Sequence, residues 1–162
     1  MPESPSDELH PNCQRVNQLL QAHGLPGRVR LLAEPAPTAK AAADQLGCDI
    51  GAIANSLVFT TSAGEPLLVM TSGAHRVDQA VVGELLGQPI RRATPDFVRQ
   101  HTGQPIGGVA PIGHPAPVRT LVDRDLSAFE LLWAAGGIPH AVFPLSYREL
   151  VLITGGTEAS VA

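Results

Sequence analysis

Residues 102–117, TGQPIGGVAPIGHPAP, hold four glycines and four prolines in sixteen positions, yet Ile106, Val109 and Ile112 recur through them at steps of three. A helix or ladder strand is hard to run through such a stretch, because proline removes an N–H donor and glycine is costly to order. Regular patterns stand on both sides of it, so the segment lies inside a fold rather than at its border. A long structureless stretch in the middle of a compact domain is uncommon and usually functional. Glycine admits positive φ and lets another molecule approach bare backbone, while proline stiffens its surroundings. Gly107 and Gly108 are therefore placed to present consecutive N–H groups to an anion or a carbonyl oxygen. The same composition also suits a tight crossover that holds no ligand.

The flanking patterns predict alternating elements. NCQRVNQLLQAHG (12–24) sets Val16, Leu19, Leu20 and His23 at helical spacing and stops at a glycine. VRLLA (29–33) reads as a short strand, and Thr38 can cap a helix AKAAADQLG that ends at Gly47. SLVFTTS (56–62) and PLLVMTS (66–72), separated by Ala-Gly-Glu, predict a β-hairpin. A helix VDQAVVGELLG, an extended IRRA and a helix TPDFVRQHTG with Thr94 as cap and Pro95 at its first position follow. Beyond the Gly/Pro segment, VRTLVD, ELLWAA and HAVFPL read as strands, and SYRELVLIT as a closing helix capped by Ser146. The expectation is a single mixed α/β domain over 12–154, with flexible tails at 1–11 and 155–162.

At 162 residues and 44% hydrophobic, the chain can bury one core of ordinary size. No run of about 18 apolar residues is present, and the first residues are acidic and polar where a signal peptide would be basic and then apolar. A cytoplasmic protein without a membrane partner is expected. Cys13 and Cys48 lack the spacing of a metal knuckle or redox pair and read as idle thiols. The six histidines show no pair at ligand spacing, so neither a zinc site nor any other cofactor is expected. A net charge of −4 speaks against a strongly basic nucleic-acid binder. Glu3, Asp7 and Glu8 lie in the N-terminal tail, however, which leaves 11 basic against 12 acidic side chains in the body. Within residues 85–125 five arginines face three aspartates, and Arg91 and Arg92 are the candidate phosphate contacts, or else scattered solvated arginines.

The segment T-G-x-x-x-G-G-V-x-P-x-G, at Thr102, Gly103, Gly107, Gly108, Val109, Pro111 and Gly113, resembles the signature of the YbaK/ProX-type aminoacyl-tRNA editing domains. Further landmarks follow in the family's order: T-A-x-A-A at Thr38–Ala42, S-L-V-F at Ser56–Phe59, S-G-A-H-R-V-D at Ser72–Asp78, the strand ending in Asp123, and G-G-x-x-H at Gly136–His140. The resemblance implies a mixed, barrel-like sheet flanked by helices. It also implies hydrolysis of the ester between a wrong amino acid and the 3′ acceptor end of a tRNA, in trans to the aminoacyl-tRNA synthetase that made the error. Ester hydrolysis builds negative charge on the carbonyl oxygen, which fixed backbone donors in a dry cleft stabilise without a titratable side chain. Gly107 and Gly108 are the expected donors, with water as nucleophile and no metal.

The family pattern commonly has a lysine just before S-L-V-F, where this chain has Asn55; its only lysine is Lys40. An asparagine can still donate to an ester or phosphate oxygen but brings no charge. Substrate-facing positions are implied for Gly103, Val109, Pro111, Gly113, His75, Asp78 and His140. Asp78 also suits a helix N-terminus through the helix dipole alone, and Asp123 reads as a turn residue. Two readings remain: a trans-editing hydrolase, and a module that binds an aminoacylated tRNA end or a related nucleotide without turnover. A serine esterase lacks support, since no G-x-S-x-G stands between a strand and a helix.

Overall fold

The apolar runs on either side of Ala63-Gly64-Glu65 form the hairpin at the middle of the sheet, β2 (Ile53–Thr61) and β3 (Pro66–Ser72), with Val58 opposite Leu68. The computed structural model describes residues 9–162, and residues 1–8 of the expected N-terminal tail lie outside the described residues. Around the hairpin lie β1 (Arg30–Leu31), β4 (Ile90–Arg92), β5 (Arg119–Asp123), β6 (Leu132–Ala135), β7 (Ala141–Leu145) and β8 (Thr157–Ala159). The sheet order is β1-β7-β6-β2-β3-β5-β8, with β4 on the same side of β2 as β6. Pairings are mixed: β2–β3, β2–β4, β6–β7 and β1–β7 are antiparallel, whereas β2–β6, β3–β5 and β5–β8 are parallel.

Both faces of the central strands are covered, which is why β3 reads as an almost unbroken apolar run rather than an alternation. On one face Ala54, Val58, Leu68, Met70 and Val122 join Cys13, Val16 and Leu20 of α1 (Pro11–Ala22) and Leu150 and Ile153 of α5 (Tyr147–Thr154). On the other face Phe59, Leu67, Val69 and Leu121 pack with Val82 of α3 (Gln79–Leu86) and Ile90. Farther along that face Ile53, Trp133 and Val142 pack with Ala42 and Ala43 of α2 (Ala39–Leu46). Leu57 packs against the first of these two clusters, and Asn55, exposed, falls between them.

Local chemistry sets the helix ends as expected. Thr38 Oγ1 accepts from Ala41 N–H at 3.1 Å, and Gly47 ends α2 in the left-handed conformation. Thr94 and Pro95 open α4 (Pro95–Thr102), and Ser146 and Glu149 form a reciprocal capping box on α5. Cys13 is buried and Cys48 half-buried; both are free, and burial raises both thiol pKa values, which suits inert thiols.

Three details differ from the expectation. Strand β2 starts at Ile53, three residues early, because Ile53 and Ala54 pair with Trp133 and Ala134 of β6. Helix α1 already begins at Pro11. Residues 155–162 are no free tail: β8 pairs with β5, Ala159 and Val161 are buried, and Val161 C=O accepts from Asp78 N–H at 2.8 Å. The segment Thr157–Val161 is polar and short, and only a parallel partner strand makes it a strand.

Candidate active site

One edge of β2 serves two partners and leaves an opening between them. β6 pairs with Ile53 and Ala54, and β4 pairs with Phe59, Thr60 and Thr61. Asn55, Ser56 and Leu57 therefore face no strand on that side. A cavity of about 110 Å³ sits at this opening. Its walls are apolar, contributed by Ile53, Trp133 and Val142 of the sheet, by Leu32 just after β1 and by Ala39 and Ala42 of α2. Polar groups come from Thr38, Asn55 and Ser56, and Gly107 and Val109 of the Gly/Pro segment close it from the side. Among the described residues, no titratable side chain lines it.

The Gly/Pro segment is ordered by its own polar contacts. Gln104, buried, accepts from Ala110 N–H through Oε1 at 2.6 Å and donates through Nε2 to Ile112 C=O at 3.2 Å. Val109, Ala110 and Ile112 insert into the main core. That fastening leaves Gly107 projecting at the cavity with φ +87°, a conformation L side chains rarely adopt, and its N–H has no acceptor among the described residues. Gly108 differs. Its N–H donates to Pro105 C=O at 3.0 Å, and a Cβ there would lie 2.5 Å from the carbonyl carbon of Ile138. Of the two expected donors, Gly107 alone keeps an N–H without a protein acceptor among the described residues, and Gly108 is a packing glycine.

Of the side chains and loop positions singled out in the sequence, the cavity gathers Asn55, Gly107 and Val109. His140 is half-buried at the rim, between Pro139 and Ala141, which do line the cavity. Gly103 ends α4 with φ +73°. Pro111 and Gly113 line a separate groove with Arg15 and His114. Asp78 caps α3, with Oδ1 accepting from Ala80 and Val81 N–H at 3.0 and 3.3 Å. His75 also lies outside the cavity lining: its Nε2 bonds the buried Asp123 carboxylate, and its Nδ1 is 3.4 Å from Asp125. Asp123 in turn accepts from Ser72 N–H at 2.9 Å, so this cluster ties the ends of β3 and β5 together. Histidine and carboxylate are 48 positions apart, too far for spacing to reveal.

Arg91 and Arg92 are exposed neighbours on β4 that point to opposite faces. Arg92 lies over the Phe59 ring, on the face that carries Asn55, about 13 Å along the strand from it at roughly 3.3 Å per residue. Arg91 borders a different hollow, with Thr60, Ser62 and Gly64.

The apolar walls could not be found from the sequence, because they are shared among β2, β6, β7, α2 and the Gly/Pro segment, which lie far apart in the chain. The strongest signal available was the Gly/Pro segment itself. A sequence model of the aminoacyl-tRNA editing domain matches residues 33–153. The fold is similar to the crystal structure of a candidate trans-editing enzyme for prolyl tRNA synthetase, at 39% identity and a TM-score of 0.89, covering 95% of this chain and 98% of that one. The uncharacterized protein YwhH of Bacillus subtilis (strain 168) is 28% identical over 113 residues, 70% of this chain and 72% of YwhH. A proline–tRNA ligase of Xanthomonas campestris pv. campestris (strain 8004) is 30% identical over 92 residues, which span 56% of this chain but 16% of the ligase. This chain belongs to the aminoacyl-tRNA editing domain family.

Proposed function

We propose that the protein is a cytoplasmic hydrolase that removes a wrong amino acid from the 3′ end of a tRNA, acting in trans to an aminoacyl-tRNA synthetase. The observation that carries this reading is a Gly107 N–H without a protein acceptor among the described residues, at the same small apolar cavity as Asn55, whose described lining holds no titratable side chain. Water attacks the ester carbonyl carbon, and the carbonyl π pair moves onto oxygen. Gly107 N–H donates to that oxyanion as a fixed dipole; Gly107 and Asn55 are exposed, so the bound acceptor end itself has to exclude water from them. Collapse breaks the bond to the ribose oxygen, which takes up a proton, and free amino acid and intact tRNA leave. With no side-chain base among the described residues that line the cavity, the water is held by Asn55 or by the neighbouring ribose hydroxyl.

A panel of mischarged tRNAs, each mixed with the purified protein and followed for loss of the ester, tests this directly. Release of at least one amino acid well above the spontaneous rate is expected. The alternative, a binding module without turnover, is favoured by one feature, the uncharged Asn55 where the family pattern commonly carries lysine. Single-turnover deacylation separates the two. Asn55→Ala is expected to lower kcat/KM by about 1–2 kcal/mol, the scale of one polar contact, and Asn55→Lys to give no large gain. A silent wild type with an active Asn55→Lys would refute the hydrolase and leave the binding module.

Binding of tRNA is expected to respond modestly to salt, with log K falling against log salt at a slope of about −2 for two or three phosphate contacts. Arg92, on the Asn55 face, is the proposed contact nearest the cavity. Arg92→Glu should weaken binding more than Arg91→Glu in a salt-dependent titration; the reverse order would place the acceptor end on the other face.

A further inference from the structure

The opening in the sheet exposes main chain as well as side chains. Alternate residues of a strand direct both N–H and C=O to the same edge. On β2 the edge toward β4 and β6 belongs to the even-numbered residues: Val58 C=O accepts from Ala93 N–H and Ser62 N–H donates to Pro89 C=O, each at 3.1 Å. Gly73 N–H and Thr61 N–H make the complementary bonds on the opposite edge, to Ile53 and Glu65 C=O. Ser56 lies between the last residue paired with β6 and the first bonded on the β4 side, so its N–H and C=O both point into the opening. The β6 register stops at Ala54 and the β4 register starts at Phe59, and no loop bond reaches Ser56, so neither group has a main-chain partner among the described residues, although Ser56 is half-buried. Its side chain is turned away, with Oγ donating to Met70 Sδ at 3.2 Å. What Ser56 offers the cavity is therefore one donor and one acceptor of a missing β-rung. An open strand edge is a template for an added strand, and beside a cavity such a rung suits a ligand with the complementary pattern.

An aminoacyl ester has that pattern: an α-ammonium and a carbonyl oxygen on adjacent atoms of one residue. We propose that the aminoacyl group docks on Ser56 as a single residue of an added strand. Its α-ammonium donates to Ser56 C=O, and its carbonyl oxygen accepts from Ser56 N–H. Ser56 N–H and Gly107 N–H then converge on the same oxygen, and Ser56 main chain becomes the selector for esters with a free α-amino group. This inference rests on the proposed hydrolase for its substrate but concerns a different contact, so the two can fail separately.

The test compares three esters on the same tRNA: aminoacyl, N-acetyl-aminoacyl, and the α-hydroxyacyl form made by nitrous acid deamination. Each enzymatic rate is divided by the spontaneous rate of the same ester. The two modified esters should be released at least about 10-fold more slowly, the scale of one charge-assisted hydrogen bond. A parallel titration uses the hydrolysis-resistant 3′-deoxy-3′-(L-alanylamino)adenosine and its lactoyl counterpart, read by the fluorescence of Trp133, the single tryptophan, which lines the cavity. The alanyl compound should bind at least about 10-fold more tightly than the lactoyl one. Discrimination in the titration without release of any ester would refute the hydrolase and uphold the docking of the aminoacyl group on Ser56. Release of aminoacyl and α-hydroxyacyl esters at equal corrected rates, or equal affinity of the two adenosines, would overturn it. Binding of neither adenosine would overturn it as well.

Discussion

Gly107→Ala is expected to lower kcat/KM for deacylation by at least about 10²-fold, the scale on which one oxyanion donor is lost, while the protein stays folded. The separation of activity from stability follows from the geometry. A Cβ at Gly107 meets nothing within 4 Å, so packing is untouched. The backbone, however, sits at φ +87°, where an L side chain is strained by roughly 1–3 kcal/mol. The loop can relieve that strain by rotating residue 107, since no hydrogen bond among the described residues holds its N–H. Rotation takes the donor off the carbonyl oxygen. Steady-state kinetics on the best substrate of the panel, beside a thermal melt, measures both. Near-normal kcat/KM in folded Gly107→Ala would remove Gly107 N–H from the transition state.

Gly108→Val should instead fail through stability, losing about 3 kcal/mol or more, at the upper end of what overpacking costs. Its Cβ would come within 2.5–2.7 Å of Ile138 C and Cα and Pro139 N, all backbone atoms that cannot swing aside. The turn that must move carries Pro139, a wall of the cavity, so activity falls too, without any donor being lost. The urea midpoint of Gly108→Val against wild type is the measurement. An unchanged midpoint would show that the turn at Ile138 yields freely. Taken together the two variants assign different duties to adjacent glycines that look equivalent in the sequence.

The helix boundaries at Thr38, Thr94 and Ser146 and the hairpin around Ala63–Glu65 were legible because their causes are local: a cap, a proline at the first turn, a turn with glycine. Strand β8 was not legible. Two of its three residues are polar, and its stability comes from pairing with β5 more than thirty positions away. His75 with Asp123 is a similar case, since the sequence implies a substrate-facing position for the first and a turn for the second, and only the adjacency of β3 and β5 makes them partners. The cavity walls were hidden for the same reason.

The sequence alone determined that residues 102–117 leave regular structure inside the fold and that an asparagine, not a lysine, stands before Ser56. Both follow from residue type, through the conformational freedom of glycine, the rigidity of proline and the charge of a side chain. Tertiary structure decided which glycine keeps a free N–H, where Arg91 and Arg92 point, and that Ser56 contributes main chain rather than hydroxyl. Those outcomes depend on which strand stops pairing and where. β6 ends its pairing at Ala54 and β4 resumes the edge at Val58, and that interval is set by packing across the whole sheet rather than by any residue within it.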